Sequence, residues 1–269
     1  MITFKNNSII VFQSSFFKMN STVITTEDLV IVVDPGYHPN EIEQIRQYVD
    51  KIKRDKPIYV LFTHSDFDHI VGYGAFPDAK TIASQQFVES RFKVKQLRDI
   101  VSFDDELYID RQNRIEYPKI DITISSDGEE LKIGETSITF YHAFGHTDDG
   151  LLTVIDDKNL LISGDYLSDL EFPFVYYRFS EYKNTLNRCK LIFESKSNLI
   201  LISGHGRVTE DPLEIQQRIK ASEDYFMLIE SNLSKEGFRR FLVEKGYTYV
   251  TNLTKRHQEN LMVWKEEQS

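Results

Sequence analysis

Residues 64–69, His64-Ser65-Asp66-Phe67-Asp68-His69, set two imidazoles and two carboxylates within six positions. Nitrogen and oxygen donors at that density are what a protein needs to hold a metal ion, whose bonds must converge on one point. Further donors stand in glycine-flanked settings: His146 in Gly145-His146-Thr147, Asp165 in Ser163-Gly164-Asp165, and His205 in Ser203-Gly204-His205-Gly206. Seven donors are too many for one four-coordinate ion, so two ions sharing a carboxylate fit better.

The donors follow segments able to aim them. An apolar run at 58–62 precedes His64, and the stretches 133–141, 151–155, 160–163 and 199–203 read as further strands. Residues 29–33 form a continuous apolar run stopped by Asp34-Pro35-Gly36, as in a strand buried on both faces. Residues 2–17 alternate loosely as two short strands. A helix is predicted from near Pro39, with Ile42, Ile45, Val49 and Ile52 on one face. Asp211-Pro212-Leu213-Glu214 carries an N-cap aspartate, a proline at N1 and a glutamate at N3. Helical patterns then continue to Trp264, with breaks near Asn232 and Gly246. Strands ending in Gly- or Asp-rich turns place short side chains along one sheet edge, where α/β proteins hold their ligands.

Segment 85–120 departs from this rhythm: it is charged, helix-like at first, and carries Phe87, Phe92, Tyr108 and Tyr117. It reads either as a solvated excursion or as a cap over the metal centre. No linker divides residues 1–269, which are expected to form a single domain with that segment as an insertion.

A net charge of −10 disfavours nucleic acid or an anionic membrane surface as partner, because both require clustered Lys and Arg. A 41% hydrophobic content with 13% aromatics suffices for a packed core. No stretch has the apolar length of a membrane helix, and the N-terminus lacks the features of a secretory signal. Cys189 is the only cysteine, and Tyr182, Leu186 and Cys189 share helical spacing, so a packed thiol in a cytoplasmic protein is expected. The expected partner is a small-molecule substrate, and nothing in the chain indicates an oligomeric state.

With these residues in view, the chain resembles the metallo-β-lactamase-fold hydrolases, whose mark is Thr-His-x-His-x-Asp-His followed by separate His, Asp and His positions. Residues 63–69 match that mark at all but one position, and Gly72 fits the glycine that follows it. Residues 127–134 resemble the family's hairpin before Gly-His-Thr, and Gly145, His146, Asp165 and His205 match the remaining motifs. The resemblance covers residues 29–206 and implies an αβ/βα four-layer sandwich, two mixed β-sheets flanked by helices. It also implies two divalent metal ions, zinc first, with His64, Asp66 and His146 at one site and Asp68, His69 and His205 at the other. Asp165 would bridge them. The implied reaction is hydrolysis by a metal-bound hydroxide of an ester, thioester, lactone or phosphoester. Asp68 and Asp165 would be the catalytic carboxylates, Asp68 handing a proton to the leaving group.

The departure is Asp66, where the family carries its second His. A carboxylate adds one negative charge, so two divalent ions with three aspartates and a hydroxide sum to about zero rather than about +1. Oxygen-rich coordination also shifts preference toward iron or manganese. Flavodiiron proteins, which carry Glu at this position, and the related persulfide dioxygenases make iron-dependent redox chemistry the alternative. A non-catalytic metal-binding protein is the third reading. For the substrate pocket, His142 beside the Gly-His-Thr motif and the aromatics Phe172, Phe174, Tyr176 and Tyr177 after Asp165 are the candidates. Ser168 stands where lactonases of the family carry a Tyr. His38 reads as a helix-entry residue, and His257, on a face with Leu253, Leu261 and Trp264, reads as packing.

Overall fold

The apolar runs become the strands of two sheets. In the computed structural model, which describes residues 1–231 and 234–269, seven strands form the first sheet in chain order. They are β1 (Ile2–Lys5), β2 (Ile9–Gln13), β3 (Asn20–Thr25), β4 (Val30–Val33), β5 (Ile58–Leu61), β6 (Lys80–Ser84) and β7 (Ile122–Ile124). Strands β1 to β4 pair antiparallel and β4 to β7 parallel. The second sheet holds β8 (Glu129–Ile133), β9 (Thr136–Ala143), β10 (Gly150–Ile155), β11 (Leu160–Ile162) and β12 (Ile200–Ile202) in the order β12-β11-β10-β9-β8. Only β11 and β12 are parallel there. Helices α1 (Pro39–Lys53), α2 (Phe67–Ile70), α3 (Gln85–Glu89) and α4 (Lys93–Leu107) belong to the first half of the chain. Helices α5 (Phe179–Glu194), α6 (Pro212–Glu230), α7 (Lys235–Lys245) and α8 (Val250–Gln268) belong to the second.

Side-chain alternation explains why β4 reads as an unbroken apolar run. Ile31 and Val33 point into the layer between the sheets, with Leu61, Phe140, Leu151 and Ile202. Val30 and Val32 point the other way, against Ile45 and Val49 of α1 and Ile100 of α4. Across the molecule Leu152, Leu161 and Leu201 meet Tyr182, Ile219, Phe226 and Leu253 from the helices of the second half. The result is the expected αβ/βα sandwich of two mixed sheets with helices outside. Cys189 is fully buried in that outer layer, and burial pushes its thiol up to about 12, away from nucleophilic use.

Strands β3, β6 and β7 escape a periodicity reading, since β3 holds Asn20, Ser21 and Thr22 buried and β7 is only three residues long. The break predicted near Gly246 is the C-terminus of α7, where Gly246 takes a left-handed conformation. The break predicted near Asn232 lies outside the described residues. Among the described residues no helix is long and apolar enough to cross a membrane.

Candidate metal centre

All seven predicted donors come from turns that leave strand ends, and the structure brings them together. His64 follows β5, while Asp68 and His69 lie in the single turn of α2, with Asp66 as its N-terminal neighbour. His146 sits between β9 and β10, Asp165 follows β11, and His205 follows β12. Ligand atoms of His64, Asp66 and His146 lie within 4.8 Å of one another, as do those of Asp68, His69 and His205. Asp165 stands between the two sets. Its Oδ2 is 3.3 Å from His146 Nε2 and 3.3 Å from His205 Nε2, and its Oδ1 is 3.3 Å from His69 Nε2.

The imidazoles are aimed by their other nitrogen. His146 Nδ1 donates to the Phe174 carbonyl (2.8 Å) and His205 Nδ1 to the Phe17 carbonyl (2.9 Å). His69 Nδ1 donates to Asp34 Oδ2 (2.9 Å). Thr63 Oγ1 donates to that same Asp34 oxygen (2.7 Å) and accepts from His64 Nδ1 (3.0 Å). Each ring is thereby fixed with Nε2 toward the centre, as metal-ligating histidines require. Asp34 thus orients one imidazole of each donor set. It is fully buried, and it holds a left-handed backbone (φ 47°) that Asp tolerates better than most residues. In the sequence Asp34 reads only as a strand stop. Nothing local marks it as more, since its partners lie about 30 residues on.

Two glycines are dictated by close approach. A Cβ on Gly204 would lie 2.2 Å from Asp165 Oδ1, and one on Gly145 would lie 2.2 Å from the Tyr182 backbone nitrogen. Gly145 also adopts φ 122°, open essentially to glycine. The turn at His146 is further held by Tyr166, whose hydroxyl accepts from the His146 amide (3.0 Å) and donates to the Phe144 carbonyl (2.8 Å). That tyrosine was not singled out by sequence.

The charge balance of the centre calls for a cation. Burial alone would lower the pKa of His69, His146 and His205, but the carboxylates around them win. Asp165 and Asp66 bring His146 to about 10, Asp165 with its neighbours brings His205 to about 10, and Asp165, Asp68 and Asp34 hold His69 well above the usual range. Burial likewise opposes ionisation of Asp66, yet His146 and His64 keep it well below the ordinary carboxylate value. Meanwhile Nε2 of His64, His69 and His146 and Oδ1 of Asp165 are buried without a hydrogen-bond partner among the described residues. Orphaned, converging nitrogen and oxygen donors in a negative pocket fit divalent metal, which satisfies both demands at once.

Asp66 keeps the place of an inward-facing donor. Its Oδ2 is 3.4 Å from His146 Nε2 and 3.7 Å from His64 Nε2, while its Oδ1 accepts from Gln96 Nε2 (3.0 Å). Gln96 lies on α4, so segment 85–120 supplies a group that orients Asp66. Phe103 of the same helix stacks on Phe67 (4.9 Å between centroids).

The cleft over the donors is lined by Phe17, Phe174, Tyr176, Glu171, Asn252 and Arg256. Of the predicted pocket residues, Phe174 and Tyr176 line it, and Tyr176 packs 5.0 Å from the His146 ring. The other three are placed elsewhere. Phe172 is buried against Tyr225, Phe238 and Tyr247, because the loop after Asp165 alternates its side chains between cleft and core. Tyr177 turns outward beside Arg178, and His142, near the end of β9, stacks on Phe144 just past it (4.9 Å). Glu171, Asn252 and Arg256 had not been anticipated. Burial, followed by the nearby Asp165 charge, raises the Glu171 carboxyl to about 7 against the pull of His205.

A profile for the metallo-beta-lactamase superfamily matches residues 16–205. No curated protein matches the sequence. Among solved structures, the sec-alkylsulfatase Pisa1 from Pseudomonas sp. is similar with a TM-score of 0.66 at 12% identity, covering 84% of this chain and 42% of that one. This chain therefore spans less than half of the alkylsulfatase. The BLEG-1 B3 metallo-beta-lactamase gives 0.57 at 19% identity, covering 75% and 93%. ETHE1 from Myxococcus xanthus gives 0.58 at 17%, covering 84% and 92%. At such identities the likeness is one of fold. The profile, by contrast, runs through every donor from His64 to His205, and the chain belongs to the metallo-beta-lactamase superfamily.

Proposed function

We propose that this protein is a metal-dependent hydrolase acting on an ester, thioester, lactone or phosphoester bond of a small cytosolic metabolite. The observation that carries the reading is the pair of three-donor clusters with Asp165 facing both and with Nε2 of His64, His69 and His146 buried without a partner among the described residues. His64, Asp66 and His146 would hold one divalent ion and Asp68, His69 and His205 the other. When bound, such ions supply a nucleophile at neutral pH and polarise the bond to be cleaved.

The chain's own residues do the rest. Asp34, Thr63 and the carbonyls of Phe174 and Phe17 keep the imidazoles in one tautomer. Asp68, which lines the cleft, would return a proton to the leaving group. Phe174 and Tyr176 wall the substrate side and limit water. Zinc suits the imidazole-rich donors, and the Asp66 carboxylate raises affinity for iron or manganese. That carboxylate also favours a second reading, iron-dependent oxygen or sulfur chemistry on the same scaffold.

Elemental analysis of protein purified without chelator, beside Asp66→His and with a broad ester and phosphoester screen, separates these readings. Two zinc or manganese ions per chain with hydrolysis lost in His64→Ala supports the hydrolase. Dominant iron that gives way to zinc in Asp66→His moves the assignment to redox chemistry. Bound metal without turnover in either assay leaves a metal-binding protein.

A further inference from the structure

The C-terminal helix lies beyond the residues matched by the family profile, yet it reaches the cleft. Asn252 and Arg256, one turn apart on α8, line the same space as Asp66, Asp68, His146, Asp165 and His205. Arg256 is the one basic side chain in that lining apart from the histidines. Its guanidinium lies 5.7 Å from the Phe174 ring centroid and 5.9 Å from that of Tyr176, and Nη1 donates to Glu259 Oε2 (2.8 Å). Those contacts fix the plane of the group while using a single nitrogen. Among the described residues Nε is buried with no partner, and Nη2 donates to no protein group. Burying a guanidinium N–H without an acceptor is costly, so an orphaned one beside a reaction centre points to an acceptor that arrives with the ligand. Nε and Nη2 together form an edge that pairs with two oxygens of one anion.

We propose that Arg256 is a specificity determinant that binds an oxyanion of the substrate, a carboxylate first, with phosphate or sulfate groups sharing the same chemistry. The substrate would then carry its cleavable bond at the metals and its anionic group at α8. Asn252 stands one turn away as a further polar group of the same subsite. Glu171 shares the cleft lining and Glu259 takes Nη1, which leaves Nε and Nη2 of Arg256 as the donors for that group. This inference rests on the hydrolase reading for its turnover but not for its binding.

The test uses metal-loaded wild type, Arg256→Gln and Arg256→Lys. The first readout is the ratio of kcat/KM for mono-4-nitrophenyl succinate over 4-nitrophenyl acetate. We expect wild type to favour the charged ester. Arg256→Gln should lower the ratio about 10- to 100-fold, mainly through KM, with partial recovery in Arg256→Lys. Equal loss on both esters would make Arg256 a structural residue and overturn the proposal. The second readout is calorimetric titration with succinate, inorganic phosphate and sulfate at unchanged metal content. An about tenfold weaker succinate affinity in Arg256→Gln supports carboxylate recognition, and a loss confined to phosphate or sulfate reassigns the anion. Unchanged affinities for all three overturn the proposal. A calorimetric difference without turnover of either ester would count against the hydrolase and leave the anion subsite standing.

Discussion

At the scale of single residues, the site is organised by one aspartate that faces both donor sets and another that stands behind them. Because Asp165 approaches histidines of both clusters, at the proposed two-ion centre Asp165→Ala is expected to reduce bound metal below one ion per chain, whereas His146→Ala should remove only one of two. Elemental analysis distinguishes those outcomes. Asp34 never touches the centre, but it anchors His69 directly and His64 through Thr63. Asp34→Ala should therefore weaken metal binding about 10- to 100-fold at both sites, measured by competition with a chromogenic chelator. A loss at one site only would refute the shared anchor. The donors were legible in the sequence because their chemistry is rare and locally spelled out. Asp34 was not, because an aspartate before Pro-Gly reads the same whether it ends a strand or braces an imidazole 35 positions on.

At the scale of elements, strands fix where the donors sit and helices fix how they are held. The loop carrying Phe174 is gripped by α8: Asn260 Oδ1 accepts from the Val175 amide (2.9 Å), and its Nδ2 donates to the Pro173 carbonyl (2.6 Å). Between those two bonds lies the Phe174 carbonyl that orients His146. Asn260→Ala is thus predicted to cost about 2–4 kcal/mol by leaving two buried backbone groups unpaired. It should also loosen metal at the site containing His146 while sparing the other. Denaturant melts and metal titration check the two halves of that statement. The helix itself was readable from its periodicity. Its service to the site was not, since the hydrogen bonds of Asn260 reach 85 and 87 positions back along the chain. The charged segment 85–120 hid its purpose similarly: Gln96 on α4 is an ordinary surface-type residue in sequence and a brace for Asp66 in space.

At the scale of the molecule, the helical layer of the second half buries a base, and that burial ties stability to pH. His257 is 4% exposed, stacks on Phe238 at 3.9 Å and faces the Tyr225 hydroxyl at 3.0 Å, as the packing role read from its helical face requires. Burial pushes its pKa down to about 4 from the usual 6.5. A base whose folded pKa is depressed is neutral in both states above 6.5. As pH falls from 6.5 toward 4, the unfolded chain takes up the proton first and stability is lost. After allowance for solvent screening, about 1–2 kcal/mol of acid sensitivity should disappear in His257→Phe, read as the difference in Tm between pH 7 and pH 4.5 for the two proteins. Equal acid sensitivity would contradict it. The same helix has a consequence for biosynthesis. His64 and His205 lie about half the chain apart, and the helix that pins the Phe174 loop and carries Arg256 follows both of them in the chain. A nascent chain exposes its first four ligands long before it owns the rest. Tight metal capture is therefore expected only once α8 has been made, and a chain stalled before it should yield its ions to a competing chelator more readily than one that carries the helix.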